Sequence, residues 1–251
     1  MNLTGNTILI TGGGSGIGLA LAQQFHQRGN QVIIAGRRQA NLDAATAANP
    51  GMKSIALDTA DAASIAAAVP KLLAEFPTLN AVLNNAGIMR PEMLTQGAAP
   101  DAEAIVATNL LGPIRLTAAL VPHFLKQPSA TILNVSSGLA FVPLAFTPTY
   151  CATKAAIHSY TQSLRYQLKD TAIKVIEIIP PWVATELMGE VPEDPRAMPL
   201  DAFIAETMQI LATDADENCV QNVLRLRNAA INGHETEAFT MLNSMFAETE
   251  H

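Results

Sequence analysis

At 251 residues with a formal net charge of −7, the chain has room for one α/β domain and little more. It is also too acidic for nucleic acid or an anionic membrane surface to be its main partner. Apolar residues make up 49% and charged residues 15%, which supports a sizeable core and excludes general disorder.

Cys151 and Cys219 form no Cys-x-x-Cys pair, so neither a metal site nor a disulfide framework is expected. The opening MNLTGNTILITGGG lacks the basic start and cleavage signature of a signal peptide. No apolar run reads as bilayer-spanning. A soluble, cytoplasmic protein without membrane insertion is the expectation.

Along the chain, the runs TILIT, QVIIA, KSIAL, AVLNN, TILNV and KVIEII each read as a buried strand. Segments of 3.6-residue periodicity separate them, the first carrying Leu19, Ala22, Phe25 and His26. Strands apolar on both faces, alternating with helices, predict a three-layer, doubly wound α/β Rossmann fold. Its parallel sheet has six strands, or seven at most, and ligands bind at their carboxyl ends.

The first strand runs into TGGGSGIG. Gly12, Gly16 and Gly18 give G-x-x-x-G-x-G rather than the usual dinucleotide spacing. Such a turn lets a pyrophosphate approach a helix N-terminus; taken alone, a glycine-rich turn is as easily free of any ligand. The second strand ends VIIAGRR. Where a carboxylate would read a free ribose 2′-hydroxyl, Arg37 and Arg38 stand instead, which favours NADP(H) over NAD(H). The plainer reading is that both arginines solvate the start of the next helix.

After the sixth strand, GEVPEDPRAMPL reads as an exposed loop, where a substrate lid would sit. Only helical patterns are read beyond it. Phe239, Leu242, Met245 and Phe246 form an apolar stripe, read as packing on the core or on a partner subunit.

TGGGSGIG (Thr11–Gly18), NNAG (Asn84–Gly87), TNLLG around Asn109, NVSSG around Ser137 and YCATK (Tyr150–Lys154) follow one another in order. Together they resemble the short-chain dehydrogenase/reductase family, from the N-terminus to about Thr185. A Tyr-x-x-x-Lys alone is common by chance; the whole set in register is specific. VSSGLAF, YCATKAA and IEIIPP look, within the family, like the bacterial DltE-like branch.

The resemblance implies a single dinucleotide-binding and catalytic domain over residues 1–251, with a divergent helical segment at about 190–251. It implies a tetrad of Asn109, Ser137, Tyr150 and Lys154. Tyr150 would give a proton to a carbonyl oxygen or take one from an alcohol. A free phenol titrates near pH ~10, so working near neutrality needs roughly 4 kcal/mol of preferential phenolate stabilisation. Lys154, one turn further on the same helical face, is read as supplying much of that, helped by the oxidised nicotinamide. A second implied part for Lys154 is bonding the ribose hydroxyls. Ser137 would hydrogen-bond the substrate oxygen; Ser136 is its rival by type, and the family's serine-to-tyrosine interval selects Ser137. Asn109 lies before Pro113, where a kinked helix is expected. In the family this asparagine holds a water that relays protons to the lysine; a structural cap is the other reading.

For the cofactor, the resemblance places Gly12, Ser15, Gly16, Ile17 and Gly18 at the phosphates and Asp58 at the adenine. Asn85, Ala86 and Gly87 would line the ribose side, with Tyr150 and Lys154 at the nicotinamide. Pro180, Val183 and Thr185 would follow the sixth strand, although Pro181 replaces the family's glycine and weakens the case for backbone contacts there. The family's closing GQ-x-x-x-VDGG strand has no counterpart after Cys219. A seventh strand, and a tetramer built on it, are therefore doubtful. A homodimer through the helices carrying Asn109 and Tyr150 is expected, and light scattering that returned a monomer would contradict it.

The candidate pocket residues Met89, Leu139, Phe141, Phe146, Trp182 and Met188 are mostly apolar. The function this implies is an NADP(H)-dependent oxidoreductase interconverting a carbonyl and an alcohol. The alternative is an NADP(H)-binding sensor or scaffold of the same fold without significant turnover.

Overall fold

The computed structural model describes residues 1–97 and 99–247. The six apolar runs all become strands: β1 (Thr7–Thr11), β2 (Gln31–Gly36), β3 (Lys53–Ala56), β4 (Leu79–Asn84), β5 (Ala130–Val135) and β6 (Ile173–Ile179). A seventh, β7 (Glu217–Cys219), joins them in the order β3-β2-β1-β4-β5-β6-β7. Every pairing is parallel. The chain winds outward from β1 to β3, then returns to place β4 against β1's other edge. That reversal puts a crevice at the carboxyl ends of β1 and β4, where this class of sheet binds ligands.

Two expectations are corrected here. The stretch beyond β6 is not wholly helical, because β7 pairs with β6 through Glu177, Ile178 and Ile179. KSIAL is not a fully buried strand, because β3 is the sheet edge and Lys53 and Ala56 are exposed.

Helices cover both faces. On one side are α1 (Gly16–Gln27), α2 (Gln39–Ala48), α7 (Leu200–Leu211) and α8 (Gln221–Asn232), with Leu21, Phe25, Leu42, Phe203 and Val223 in one apolar cluster. On the other are α3 (Ala62–Glu75), α5 (Gly112–Phe124) and α6 (Pro148–Gln167), contributing Leu72, Leu116, Phe124 and Leu164 to a second. Phe25, Phe124 and Phe203 are fully buried, and each contributes about 1.5–3 kcal/mol by leaving water.

A short helix, α4 (Ala102–Val106), runs through a π turn at Ala107–Leu111 into α5. The resulting 23-residue helix, Ala102–Phe124, is long and apolar enough by composition to cross a membrane. Reading the sequence for uninterrupted apolar runs overlooked it, because polar residues break the run without breaking the helix. Its apolar side packs inward through Ile105, Leu116, Leu120 and Phe124, none of which is exposed.

Beyond α8 the chain reverses at Gly233, whose φ of +77° closes the helix in the left-handed conformation that glycine adopts without penalty. The last helix, α9 (Glu235–Ala247), is thereby returned towards the carboxyl ends of the strands. Leu242 and Phe246 on it pack against Met89, Ile105, Leu144, Tyr150 and Cys151. The apolar stripe read from the sequence is therefore divided, since Phe239 and Met245 on the same helix stay partly exposed.

Candidate active site

The glycine loop is built for close approach. Gly12 has a φ of +66°, and a Cβ there would lie 2.9 Å from Asn85 Nδ2. A Cβ on Gly18 would run into the Gly12 carbonyl oxygen, so no larger residue fits. Thr11 Oγ1 fastens this turn to the end of β4, accepting from Asn85 N at 3.0 Å and Ala86 N at 3.1 Å. Asn85 Nδ2 donates back to Thr11 O at 3.0 Å. The Asn85 side chain is thus a brace for the loop.

Ser15 occupies the N-cap position of α1, but its hydroxyl makes no capping bond. The N–H groups of the first turn are left facing the loop, the arrangement that suits a phosphate. Arg38 Nη2 donates to Ser15 Oγ at 3.3 Å, which brings a guanidinium from the end of β2 to the same point. Arg37 is exposed. Thr185 approaches from the opposite side, with its Cβ 3.7 Å from the place of a Cβ on Gly16. Between β6 and there, Pro180 O accepts from Gly138 N at 2.9 Å and Val183 is buried, bridging to Met198. Asp58 follows β3 and closes a turn by accepting from Ala60 N at 3.0 Å. The glycine cradle and the uncapped helix fit a dinucleotide.

The four tetrad candidates meet at the ends of β4 and β5. Pro148 in the first turn starts α6, a position where its missing N–H is no loss. The buried Glu92 carboxylate fixes that end, accepting from Thr149 N at 2.8 Å and Thr149 Oγ1 at 2.7 Å. A carboxylate at a helix N-terminus is favourable on dipole grounds. Tyr150 follows at once and is buried. Burial pushes its phenol above the ordinary value, while a hydrogen bond with Ser137 pulls it back. Ser137 Oγ also accepts from Leu139 N at 3.1 Å. The rival Ser136 is buried, with no partner for its hydroxyl. The serine that meets Tyr150 is therefore Ser137.

Lys154 Nζ lies 5.5 Å from the Tyr150 ring centroid and donates to Val135 O at 2.8 Å. Burial lowers this ammonium from 10.5 to about 8, against the charge of Glu177, which raises it. Gly87 separates Lys154 from Asn109: a Cβ there would stand 3.9 Å from Nζ and 3.5 Å from Asn109 Oδ1. Asn109 lies within the π turn, a helix irregularity frequent at functional sites. Its side chain grips the backbone of Ile88, accepting from Ile88 N and donating to Ile88 O, both at 2.9 Å. It also donates to Thr153 Oγ1 on α6 at 3.3 Å. The side chain ties the NNAG segment to both helices.

The pocket wall differs from the expected set. Met89, Leu139 and Phe146 join the Tyr150 cluster. Phe141 turns away, packing edge-on to His158 at 4.9 Å and under the Arg227 guanidinium at 5.0 Å. Met188 is half-exposed. Trp182 packs against Phe246 with the rings tilted at 54° and centroids 5.3 Å apart, and Phe146 meets the same ring at 6.2 Å. Arg196 covers both Trp182 and Phe246 and donates to Met245 O at 2.7 Å. Phe246, Glu92 and Thr153 were not candidates in the sequence. The apolar stripe of the last helix signalled Phe246; nothing local signalled the other two.

A family model for short chain dehydrogenases matches residues 6–196. DltE of Bacillus subtilis (strain 168), an uncharacterised oxidoreductase, is 46% identical over 190 residues, 74% of this chain and 75% of its own. The chain belongs to the short chain dehydrogenase family. The 3-oxoacyl-[acyl-carrier-protein] reductase FabG of Thermotoga maritima is 30% identical over 85% of this chain and 93% of its own. Among solved members, a short-chain dehydrogenase from Sphingobium yanoikuyae in complex with NADPH superposes with a TM-score of 0.79 at 26% identity. That match covers 94% of this chain and 95% of the other. A 3-ketoacyl-(acyl-carrier-protein) reductase from Brucella melitensis complexed with NADH gives 0.77 at 28% identity, covering 88% and 96%. Short chain dehydrogenases similar to this chain thus bind either NADPH or NADH. The family supports an oxidoreductase with a nicotinamide cofactor, and the family match ends at the loop before α7, leaving α7–α9 outside it.

Proposed function

We propose that this short chain dehydrogenase interconverts a carbonyl and an alcohol using NADP(H), with Tyr150 as general acid and base. The observation that carries this reading is the meeting of Tyr150, Ser137 and Lys154 beside the glycine cradle. A nicotinamide bound there supplies or accepts hydride. The chain's own groups handle the oxygen and its proton. Ser137 holds the substrate oxygen by hydrogen bond. Tyr150, kept as a phenol by burial, donates its proton as charge develops on that oxygen. Lys154 is the cation on the same helical face, stabilising the phenolate that remains. Asn109 keeps Ile88 and α6 in fixed relation, so that the acid and the loop beside it do not drift.

The wall of Met89, Leu139, Phe146, Trp182, Leu242 and Phe246 favours a hydrophobic carbonyl substrate. The unit proposed is one catalytic domain acting as a homodimer in the cytoplasm. Mixing the protein with NADPH and a panel of apolar ketones and aldehydes, followed by cofactor absorbance, tests the reading. Turnover is expected, with preference for apolar carbonyls; NADPH binding without turnover across the panel would favour the sensor.

Arg38 carries the choice of cofactor in this proposal. Arg38→Ala is expected to weaken NADPH binding about 10- to 100-fold, the equivalent of about one lost charge-assisted hydrogen bond. NADH binding should change little. Fluorescence titration with both cofactors measures this, and equal losses for the two would remove Arg38 from 2′-phosphate recognition.

A further inference from the structure

Glu177 sits in the middle of the apolar run of β6 and is completely buried. A carboxylate in such a place is strongly unfavourable unless it is paired. His158 Nδ1 meets both its oxygens, at 3.0 and 2.8 Å. His158 lies on α6 one turn beyond Lys154, so Tyr150, Lys154 and His158 share one helical face.

The sheet brings Glu177 under that face. Asn84, Asn134, Glu177 and Glu217 stand side by side in register across β4 to β7. Asn134 reaches up to Thr161 on α6 at 2.9 Å. The next register pair, Val135 with Ile178, contains the carbonyl that holds Lys154 Nζ. The anion is therefore one residue behind the strand position that seats the lysine, and its charge acts against the desolvation of Lys154.

We propose that Glu177, clamped by His158, is a positioning residue of the active site and the counter-charge of Lys154. The inference deepens the reductase reading and rests on it for the work assigned to Lys154. The other groups facing the pair leave this assignment intact. Glu217 on β7 is neutralised by Arg227 of α8, which donates to its two oxygens at 2.9 and 3.2 Å. Cys219 is held above its ordinary range by burial first and by Glu217 second, so it is an uncharged thiol. The ligand atoms of His158, Glu177 and Glu217 lie within 4.8 Å of one another, and the Arg227 guanidinium is the cation of that cluster. Around Lys154, the remaining neighbours Tyr150, Ser137 and Asn109 bring no second anion.

The test is Glu177→Gln, which keeps the shape and removes the charge. Two profiles are measured from pH 6 to 10: kcat/KM for NADPH-dependent carbonyl reduction, and stability to urea. The alkaline fall in activity and the alkaline rise in stability should both move down by about one pH unit. His158→Leu should displace both profiles in the same direction, because it removes the group that holds the Glu177 carboxylate in place. His158→Asn, whose amide can donate from the place of Nδ1, should restore the parent profiles. The stability displacement must vanish when Lys154→Met is added. That arm decides the matter even if no carbonyl is reduced, separating failure of this inference from failure of the reductase reading. Superimposable parent and Glu177→Gln profiles, or a displacement that persists without Lys154, would overturn the proposal.

Discussion

Tyr150→Phe is expected to lower kcat/KM for carbonyl reduction about 10²- to 10⁴-fold, the range for removing a positioned general acid. The substitution deletes one hydroxyl from a ring that stays packed among Met89, Ile105, Leu144 and Cys151. Fold and cofactor binding should therefore survive. Because the hydroxyl is held as a phenol by burial and bonded to Ser137, the loss should fall on kcat rather than on KM. NADPH titration of the variant separates the two cases: unchanged binding with lost turnover is the expected pair. A variant that remained fully active would remove Tyr150 from the chemistry.

Lys154→Met is expected to lower kcat/KM by on the order of 10²-fold or more, since the phenolate loses its nearby cation. In the folded chain the ammonium titrates at about 8, below its ordinary 10.5. Below pH 8 the lysine is charged in both states and the full penalty of burying the charge is present. Between pH 8 and 10.5 the folded chain has lost the proton while the unfolded chain keeps it, so stability rises with pH. The rise attributable to this residue is roughly 3 kcal/mol. Urea midpoints measured across that window should show the rise as a difference between parent and Lys154→Met. The comparison cancels the cysteines, whose raised values act in the opposite direction. A flat difference would mean that Lys154 is not the buried cation described here.

The fold was largely legible because β1, β2, β4, β5 and β6 are continuous apolar runs, and a helical period separates one from the next. β7 was not, because Glu217, Asn218 and Cys219 carry no apolar pattern; the strand exists because the exposed edge of β6 offers it backbone partners. The four tetrad candidates stand in the sequence as spaced motifs, and the structure brings them together at the ends of β4 and β5, but the sequence says less about what each side chain touches. Asn109 was readable as a relay or a cap, and its side chain braces Ile88, a contact across 21 residues. Phe141 reads as a candidate pocket residue in the sequence, yet after the short turn at Gly138–Ala140 its ring lies against His158. The stripe on α9 told that a face is covered without telling by what. The reversal at Gly233 carries Phe246 back onto the cluster around Tyr150 and Cys151 of α6. Glu177 did have a signal, a carboxylate inside KVIEII, and its meaning depended on a histidine from another element.

In the proposed reaction, hydride passes between the bound nicotinamide and a substrate carbon while Tyr150 supplies the proton. That reaction is followed with NADPH carrying deuterium at both C4 positions of the nicotinamide, an apolar carbonyl panel, and mass spectrometry of the products. Alcohols carrying a single deuterium on the carbinol carbon are expected from the parent chain and should be lost with Tyr150→Phe. NADPH that binds and returns with its deuterium intact across the panel would contradict this reaction.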